Sequence, residues 1–184
     1  MDIWDWECNL LLRSLRFLGE FYFYIPFLLR YHCVRRHKEL ISHKTEIRVR
    51  YADTDQMKVV YHGKYLEYFE VGRAALIRSL GLPYSELETR GILLPVIEAF
   101  AKYRKPARYD ELLFIEAIVT ELPKAVLKIE YKILRGGEEE VLVEGYTIHS
   151  FLYAATGKPT RAPSYFVQIL EKAMTSSIDS TRHN

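Results

Sequence analysis

Apolar residues alternate with charged residues in several segments of the chain, which is the two-residue period of a β-strand with one buried face. The alternation is sharpest where Leu127, Ile129 and Tyr131 are separated by single charged residues. Gly136 and Gly137 then predict a hairpin turn, because glycine accepts the positive φ angles that such turns require. Strands are predicted over Thr45–Tyr51, Leu93–Tyr103, Leu112–Leu122, Ala125–Leu134 and Val141–Tyr153.

Apolar residues spaced three or four positions apart predict one long helix over Tyr61–Leu80. Tyr65, Phe69 and Leu76 lie on one stripe of this helix, and further apolar residues lie on its other sides. A helix that is apolar nearly all round is expected to be buried. A Gly-Leu-Pro sequence ends it, since proline cannot continue the hydrogen-bond ladder. Shorter helices are predicted over Tyr84–Arg90 and Ser164–Lys172.

The order of the predicted elements indicates the fold class. One strand is followed by the long helix and then by four further strands, which is typical of an α+β fold with an antiparallel sheet packed on one helix. A sheet wrapped around one long central helix is the architecture called the hotdog fold. We therefore expect a hotdog domain over residues 43–174 and a flexible tail over residues 175–184.

The composition narrows the class of protein. The chain has 184 residues, of which 49% are hydrophobic and 27% are charged, with a formal net charge of +2. It is long enough to bury a core without disulfides or a structural metal. Its two cysteines, Cys8 and Cys33, match no zinc or redox spacing, so a reducing, cytoplasmic location is expected. The nearly even charge balance gives no support for nucleic acid as a partner.

Residues 1–42 differ in composition from the rest of the chain, because they contain both tryptophans and both cysteines. Arg13, Arg16 and Glu20 interrupt their apolar stretch, which is therefore shorter than the roughly 20 apolar residues that cross a bilayer. Acidic residues occupy the place of the basic leader of a signal peptide. Three interpretations stay open: a peripheral amphipathic helix, a helical cap on the domain, and translated upstream sequence from an early start site.

A candidate catalytic site follows from the segment between the first strand and the long helix. Asp55 lies on the predicted turn, seven residues before His62 at the predicted helix start, and Asp53 is expected to cap the turn. A helix start presents unpaired backbone N–H groups and the positive end of the helix dipole. These donors can polarise the oxygen of a carbonyl group whose carbon faces the carboxylate, which attacks it or deprotonates water.

Residues 51–73 resemble a known enzyme family. They read Y-A-D-T-D-Q-M-K-V-V-Y-H-G-K-Y-L-E-Y-F-E-V-G-R. This motif is similar to that of acyl-CoA thioesterases of the 4-hydroxybenzoyl-CoA thioesterase type, and especially of their Tol-Pal-associated bacterial branch. The resemblance covers roughly residues 43–170, and the motif lies in the predicted strand-turn-helix context.

The resemblance implies a thioesterase that releases a carboxylic acid and free coenzyme A without a metal or redox cofactor. It implies Asp55 as the catalytic carboxylate, acting as nucleophile or general base, and His62 as the backbone donor at the helix start. It also implies sites between paired subunits, and so a homodimer or homotetramer. Relatives usually have glycine three residues after the catalytic aspartate, whereas this chain has Lys58. The turn is therefore expected to differ slightly, unless this position is not left-handed here.

Candidate substrate contacts lie on both sides of the motif. Tyr61 and Tyr65 suit an acyl pocket, although aromatic residues at this spacing are also typical of a core. Lys102 and Arg104 belong to a basic stretch that suits the phosphates of coenzyme A, and a solvated basic edge explains it equally. The acyl-chain length, and the choice between coenzyme A and acyl carrier protein, stay open.

Structural roles are expected for three further residues, and two alternative functions stay open. Glu70 and Arg73 are expected to form an intrahelical ion pair, and His149 to be a satisfied structural group. A hotdog dehydratase or hydratase is an alternative, but its G-D-x-N-P-x-H motif has Asp and His five apart, whereas here they are seven apart. A non-catalytic binder of acyl thioesters is the other alternative.

Overall fold

The computed structural model describes residues 41–136 and 140–181. In chain order its elements are β1 (Ile41–Arg48), α1 (Lys64–Ser79), α2 (Tyr84–Thr89), β2 (Ile92–Leu93), β3 (Val96–Tyr103), β4 (Leu112–Val119), β5 (Val126–Arg135), β6 (Val141–Tyr153), β7 (Pro159–Thr160) and α3 (Ser164–Thr181). A short 3-10 turn, Tyr51–Asp53, follows β1. The expected N-terminal segment lies outside the described residues, apart from Ile41 and Ser42 at the start of β1, and so does Gly137 of the predicted hairpin turn.

The strands form one antiparallel sheet in the order β1, β4, β5, β6. Three further strands, β2, β3 and β7, also pair with β6. Its register aligns the apolar residues of the sequence pattern, since Ile115 of β4 is opposite Ile133 of β5, and Ile133 is opposite Val143 of β6. These side chains therefore share one buried face. β3 pairs with β6 only, and its outer edge has no partner strand among the described residues.

α1 packs against the buried face of the sheet. Phe69 stacks on Tyr131 of β5 with ring centroids 4.4 Å apart. Two glycines permit this close approach: a Cβ atom on Gly72 would lie 2.5 Å from the side chain of Ile115, and one on Gly145 would lie 2.9 Å from the Phe69 ring. The predicted arrangement of an antiparallel sheet on one long buried helix is confirmed.

The structure differs from the prediction at several element boundaries, since β1 lies three to four residues earlier than predicted and α1 begins three residues later. Two further differences have a clear local explanation. The strand predicted over Leu93–Tyr103 is divided into β2 and β3, because Pro95 lies between them and has no amide N–H to donate to a ladder. The helix expected to end at Lys172 continues to Thr181, into the expected flexible tail. Neither glycine nor proline occurs in this stretch to end the helix.

The expected ion pair between Glu70 and Arg73 is wrong. Glu70 is exposed, whereas Arg73 is 9% exposed and its Nη1 lies 3.5 Å from Nε2 of His149, because position 73 is on the side of α1 that faces the sheet. The structural role of His149 is confirmed. Its Nε2 lies 2.8 Å from the Thr147 hydroxyl and its Nδ1 lies 3.3 Å from the Leu94 carbonyl oxygen.

Burial and the nearby Arg73 guanidinium lower the pKa of His149 from 6.5 to about 4. The folded protein therefore binds the proton that would charge the His149 imidazole less readily than the unfolded chain does. The stability that depends on neutral His149 is fully present above pH 6.5 and is lost as the pH falls toward 4. We expect the free energy of unfolding to fall by about 3 kcal/mol across this window. Urea unfolding across the window measures the loss, and His149→Gln should remove most of it. An unchanged pH dependence in the variant would contradict the assignment.

Candidate active site

Asp53 fixes the turn that precedes the candidate catalytic residue. Its carboxylate is buried and accepts hydrogen bonds from the Arg50 amide at 3.0 Å, the Arg50 guanidinium at 3.1 Å and the Tyr68 hydroxyl of α1 at 3.0 Å. Burial works to raise the pKa of Asp53, but these hydrogen bonds outweigh it and lower the pKa. The Asp53 carbonyl accepts a hydrogen bond from the Tyr61 amide at 2.9 Å, and α1 begins only at Lys64. The Asp53 carboxylate therefore caps the 3-10 turn that ends at this residue. The expectation that it caps the turn that follows is wrong, because the Asp55 carboxylate accepts the bond from the Met57 amide there.

Asp55 lies in a tight loop that leaves one carboxylate oxygen free. Oδ1 accepts a hydrogen bond from the Met57 amide at 2.8 Å. The Asp55 amide donates to the Val59 carbonyl, and the Asp55 carbonyl accepts from the Lys58 amide, both at 2.9 Å. Within residues 41–136 and 140–181, Oδ2 accepts no hydrogen bond. The carboxylate is therefore held by one oxygen, while the other is available for reaction.

Lys58 adopts the left-handed conformation that glycine adopts without strain, with a φ of 62°. Its amide closes the loop onto Asp55, so the conformation is part of the geometry that presents the carboxylate. The departure from the glycine of relatives therefore leaves the turn left-handed and introduces local strain, which costs an L-residue about 1–2 kcal/mol.

Replacing Lys58 by glycine should stabilise the protein. The strain energy that glycine relieves in the folded protein exceeds the entropic cost of its extra freedom in the unfolded chain. We therefore expect a gain of about 0.5–1 kcal/mol in the free energy of unfolding. Chemical denaturation measures this gain. Lys58→Ala keeps a Cβ atom and serves as the control, and equal stability of the two variants would contradict the interpretation.

Two backbone amides are unpaired just before α1. Gly63 is the N-cap of α1, and the amides of His62 and Gly63 donate no hydrogen bond within the part of the chain that the structure describes. The His62 carbonyl accepts a hydrogen bond from the Tyr103 hydroxyl at 3.1 Å, and the His62 ring packs against Tyr61 with centroids 4.2 Å apart. Such unpaired N–H groups are suited to a developing oxyanion. Sequence reasoning named His62 as a candidate backbone donor but missed Gly63, because it placed the start of the helix too early.

One cleft of about 370 Å³ contains the candidate catalytic groups. Asp55 and His62 line it together with Tyr65 of α1 and Tyr103 of β3, whose rings are 5.5 Å apart. The Tyr65 hydroxyl accepts a hydrogen bond from the Ala107 amide at 3.1 Å, and burial raises the pKa of this hydroxyl. The other lining residues are Met57, Val59, Val60, Arg104, Lys105 and Pro106.

The structure brings some of the predicted substrate contacts to the cleft and leaves others outside it. Tyr65 and Arg104 line the cleft, and Arg104 is also paired with Glu144 at 2.5 Å. Lys102 is not a lining residue, and its Nζ is 4.0 Å from the same Glu144 carboxylate. Tyr61 is 49% exposed and is not a lining residue.

Comparisons with known proteins identify relatives of this chain. The sequence profile of the thioesterase superfamily matches residues 57–142. The YneP protein of Bacillus subtilis is 54% identical over 68 residues, which are 37% of this chain and 49% of that protein, so the match spans about half of its length. The acyl-CoA thioester hydrolase YbgC of Escherichia coli O6:H1 is 30% identical over 102 residues, which are 53% of this chain and 76% of that protein.

The fold is also that of a solved thioesterase. The crystal structure of the DHNA-CoA thioesterase from Staphylococcus aureus has a TM-score of 0.66 and 32% identity, over 77% of this chain and 93% of that chain. The hotdog fold expected from the sequence is confirmed. No helix among the described residues is long and apolar enough to cross a membrane. With its motif, its fold and these identities, the chain belongs to the thioesterase superfamily.

Proposed function

We propose that the protein is an acyl-CoA thioesterase, which hydrolyses an acyl thioester to a carboxylic acid and free coenzyme A. One observation carries the proposal: the free Oδ2 of Asp55 and the unpaired amide of His62 belong to residues that line the same cleft. Hydrolysis of a thioester needs a group that attacks or activates water at the carbonyl carbon and donors for the carbonyl oxygen. The name of the YbgC relative points to the same reaction.

In the proposed mechanism, the thioester carbonyl oxygen accepts hydrogen bonds from the amides of His62 and Gly63, helped by the positive end of the α1 dipole. Asp55 either attacks the carbon, forming a mixed anhydride that water hydrolyses, or removes a proton from the attacking water. Collapse of the tetrahedral intermediate breaks the carbon–sulfur bond, and the thiolate takes up a proton. Single-turnover hydrolysis in isotopically labelled water separates the routes, because only the anhydride route can transfer labelled oxygen into Asp55.

The open edge of β3 supports an assembly of two or more copies. Its large apolar side chains are between 46% and 59% exposed, and they belong to Val96, Ile97, Phe100 and Tyr103. An open apolar edge is a template for another strand, and antiparallel pairing of two β3 strands would cover it and place a second copy beside Tyr103 of the cleft. Analytical ultracentrifugation should therefore detect a homodimer or homotetramer. A monomer at every concentration would rule this assembly out.

The motif of residues 51–73 favours the Tol-Pal-associated bacterial branch of the family, and the cysteine spacing favours the reducing cytoplasm. The same activity is expected in that compartment, with acyl-CoA as the substrate and acyl carrier protein as the alternative carrier. Cell fractionation tests the location, and recovery of the protein outside the cytoplasm would contradict it.

A panel of acyl-CoA esters of graded chain length tests the activity of the purified wild-type protein. Release of free thiol, measured with a thiol reagent, should exceed the spontaneous rate for at least one ester. Loss or gain of enoyl absorbance without thiol release would identify a hydratase or dehydratase instead. Tight binding of an acyl-CoA analogue with no turnover of any ester would identify a non-catalytic binder.

A further inference from the structure

Two exposed tyrosines form a pair on the surface beside the loop of Asp55 between Thr54 and Val60, which we call the catalytic turn. Tyr51 is 79% exposed and Tyr109 is 58% exposed, and their rings lie 5.8 Å apart at 86° to each other. Tyr51 begins the 3-10 turn that leads to Asp55, and Tyr109 lies on the loop between β3 and β4. Large aromatic rings left open to solvent at a right angle provide a face and a wall for a planar ligand.

The loop that contains Tyr109 also borders the cleft. Its Ala107 carbonyl accepts a hydrogen bond from the Val60 amide at 2.9 Å, and its Asp110 amide donates to the Val49 carbonyl at 3.0 Å. The loop is therefore fixed between the end of β1 and the return of the catalytic turn. Pro106 at the start of this loop lines the cleft itself. The segments that contain Tyr51 and Tyr109 are thus in contact, and each also contains a residue that lines the cleft, Asp55 in one and Pro106 in the other.

Two cations of the same segments have no carboxylate partner among the described residues. Lys58 on the catalytic turn and Arg108 next to Tyr109 are exposed, and their side chains form no ion pair or hydrogen bond with any described residue. Their neighbours differ, since Arg104 is paired with Glu144 and Lys105 with Glu140. Free cations beside open aromatic rings are suited to a ligand that combines a planar base with phosphate groups.

We propose that Tyr51, Tyr109, Lys58 and Arg108 bind the phosphorylated adenosine of coenzyme A, with the purine stacked in the tyrosine corner and the phosphates at the two cations. The inference rests on the proposed function, in which the thioester end of the same molecule occupies the cleft. The pantetheine arm connects the two ends. The strained conformation of Lys58 then has a role, because it places a cation on the turn that presents Asp55.

A matched pair of substrates tests the proposal: one acyl group carried by coenzyme A and the same group carried by pantetheine, which lacks the nucleotide. The readout is the ratio of kcat/KM for the two esters. Wild type should favour the coenzyme A ester at least about 10-fold, since stacking of one base contributes that order of affinity. Tyr51→Leu and Tyr109→Leu should each lower the ratio about 5- to 10-fold. Arg108→Gln and Lys58→Gly should lower it about 2- to 5-fold, the size expected for exposed charge contacts.

The control Lys124→Gln removes a positive charge from the turn between β4 and β5, and should leave the ratio unchanged. Added salt should lower the wild-type ratio. It screens the contacts of Lys58 and Arg108 with the phosphates of the coenzyme A ester, whereas the pantetheine ester has no nucleotide phosphates to be screened. Equal hydrolysis of both esters by wild type, or equal loss on both esters in the variants, would overturn the proposal while leaving thioesterase activity in place. Calorimetry with adenosine 3′,5′-diphosphate needs no turnover. Binding that Tyr51→Leu weakens supports the site even if no thioester is hydrolysed, and the absence of binding refutes it.

Discussion

Replacing Asp55 by asparagine should lower kcat for acyl-CoA hydrolysis by about 100- to 10,000-fold, the range that a positioned acid–base group provides. Asparagine keeps the oxygen that accepts the Met57 amide hydrogen bond, so the loop should keep its shape. Its amide nitrogen neither attacks a carbonyl carbon nor removes a proton from water. The free energy of unfolding should therefore change little while the chemical step is lost, with KM close to the wild-type value.

The control for this loss is Glu121→Gln, which makes the same change of charge at an exposed residue beyond β4 and should keep the wild-type kcat. Stopped-flow or steady-state release of thiol measures both variants. An Asp55→Asn enzyme that keeps more than about a tenth of wild-type kcat would remove Asp55 from the chemistry, since one positioned group normally contributes at least 100-fold.

Local patterning is sufficient to predict most of the sheet and its helix. The strand predicted over Val141–Tyr153 has the same bounds in the structure, and β5 is shifted from its prediction by one residue at each end. These strands alternate clearly because one face packs on α1 and the other is solvated. β7, over Pro159–Thr160, is absent from the prediction, because two residues show no periodicity.

The candidate site is predictable only where its residues are local in sequence. Asp55 and His62 belong to one motif, and both line the cleft. Tyr103 also lines it, but the contact depends on how β3 is placed against the start of α1, which no local pattern records. The bond from Tyr68 to Asp53 is likewise a contact between separate elements. Sequence reasoning therefore finds the candidate reacting groups and misses the side chains that position them.

Replacing Gly145 by alanine should destabilise the protein by about 3 kcal/mol or more, which corresponds to a drop of roughly 6–12 °C in Tm for a chain of this size. A Cβ atom at this position would lie 2.1 Å from the Phe100 carbonyl oxygen and 2.9 Å from the Phe69 ring. The oxygen belongs to the β3 backbone that is paired with β6, and Phe69 is stacked on Tyr131. Neither neighbour can move without breaking the sheet ladder or the packing of α1.

Gly81→Ala is the matched control, because it adds the same methyl group where nothing lies within 4 Å, at a φ of +79°. Only the left-handed backbone opposes that substitution, at a cost of about 1 kcal/mol. Thermal and urea unfolding of both variants therefore separate steric overlap from backbone strain. Comparable losses would mean that Phe100 and Phe69 lie farther from Gly145 than the structure shows. A steep loss at Gly145 alone would confirm this close packing, including that of α1, the helix directly preceded by the candidate oxyanion donors His62 and Gly63.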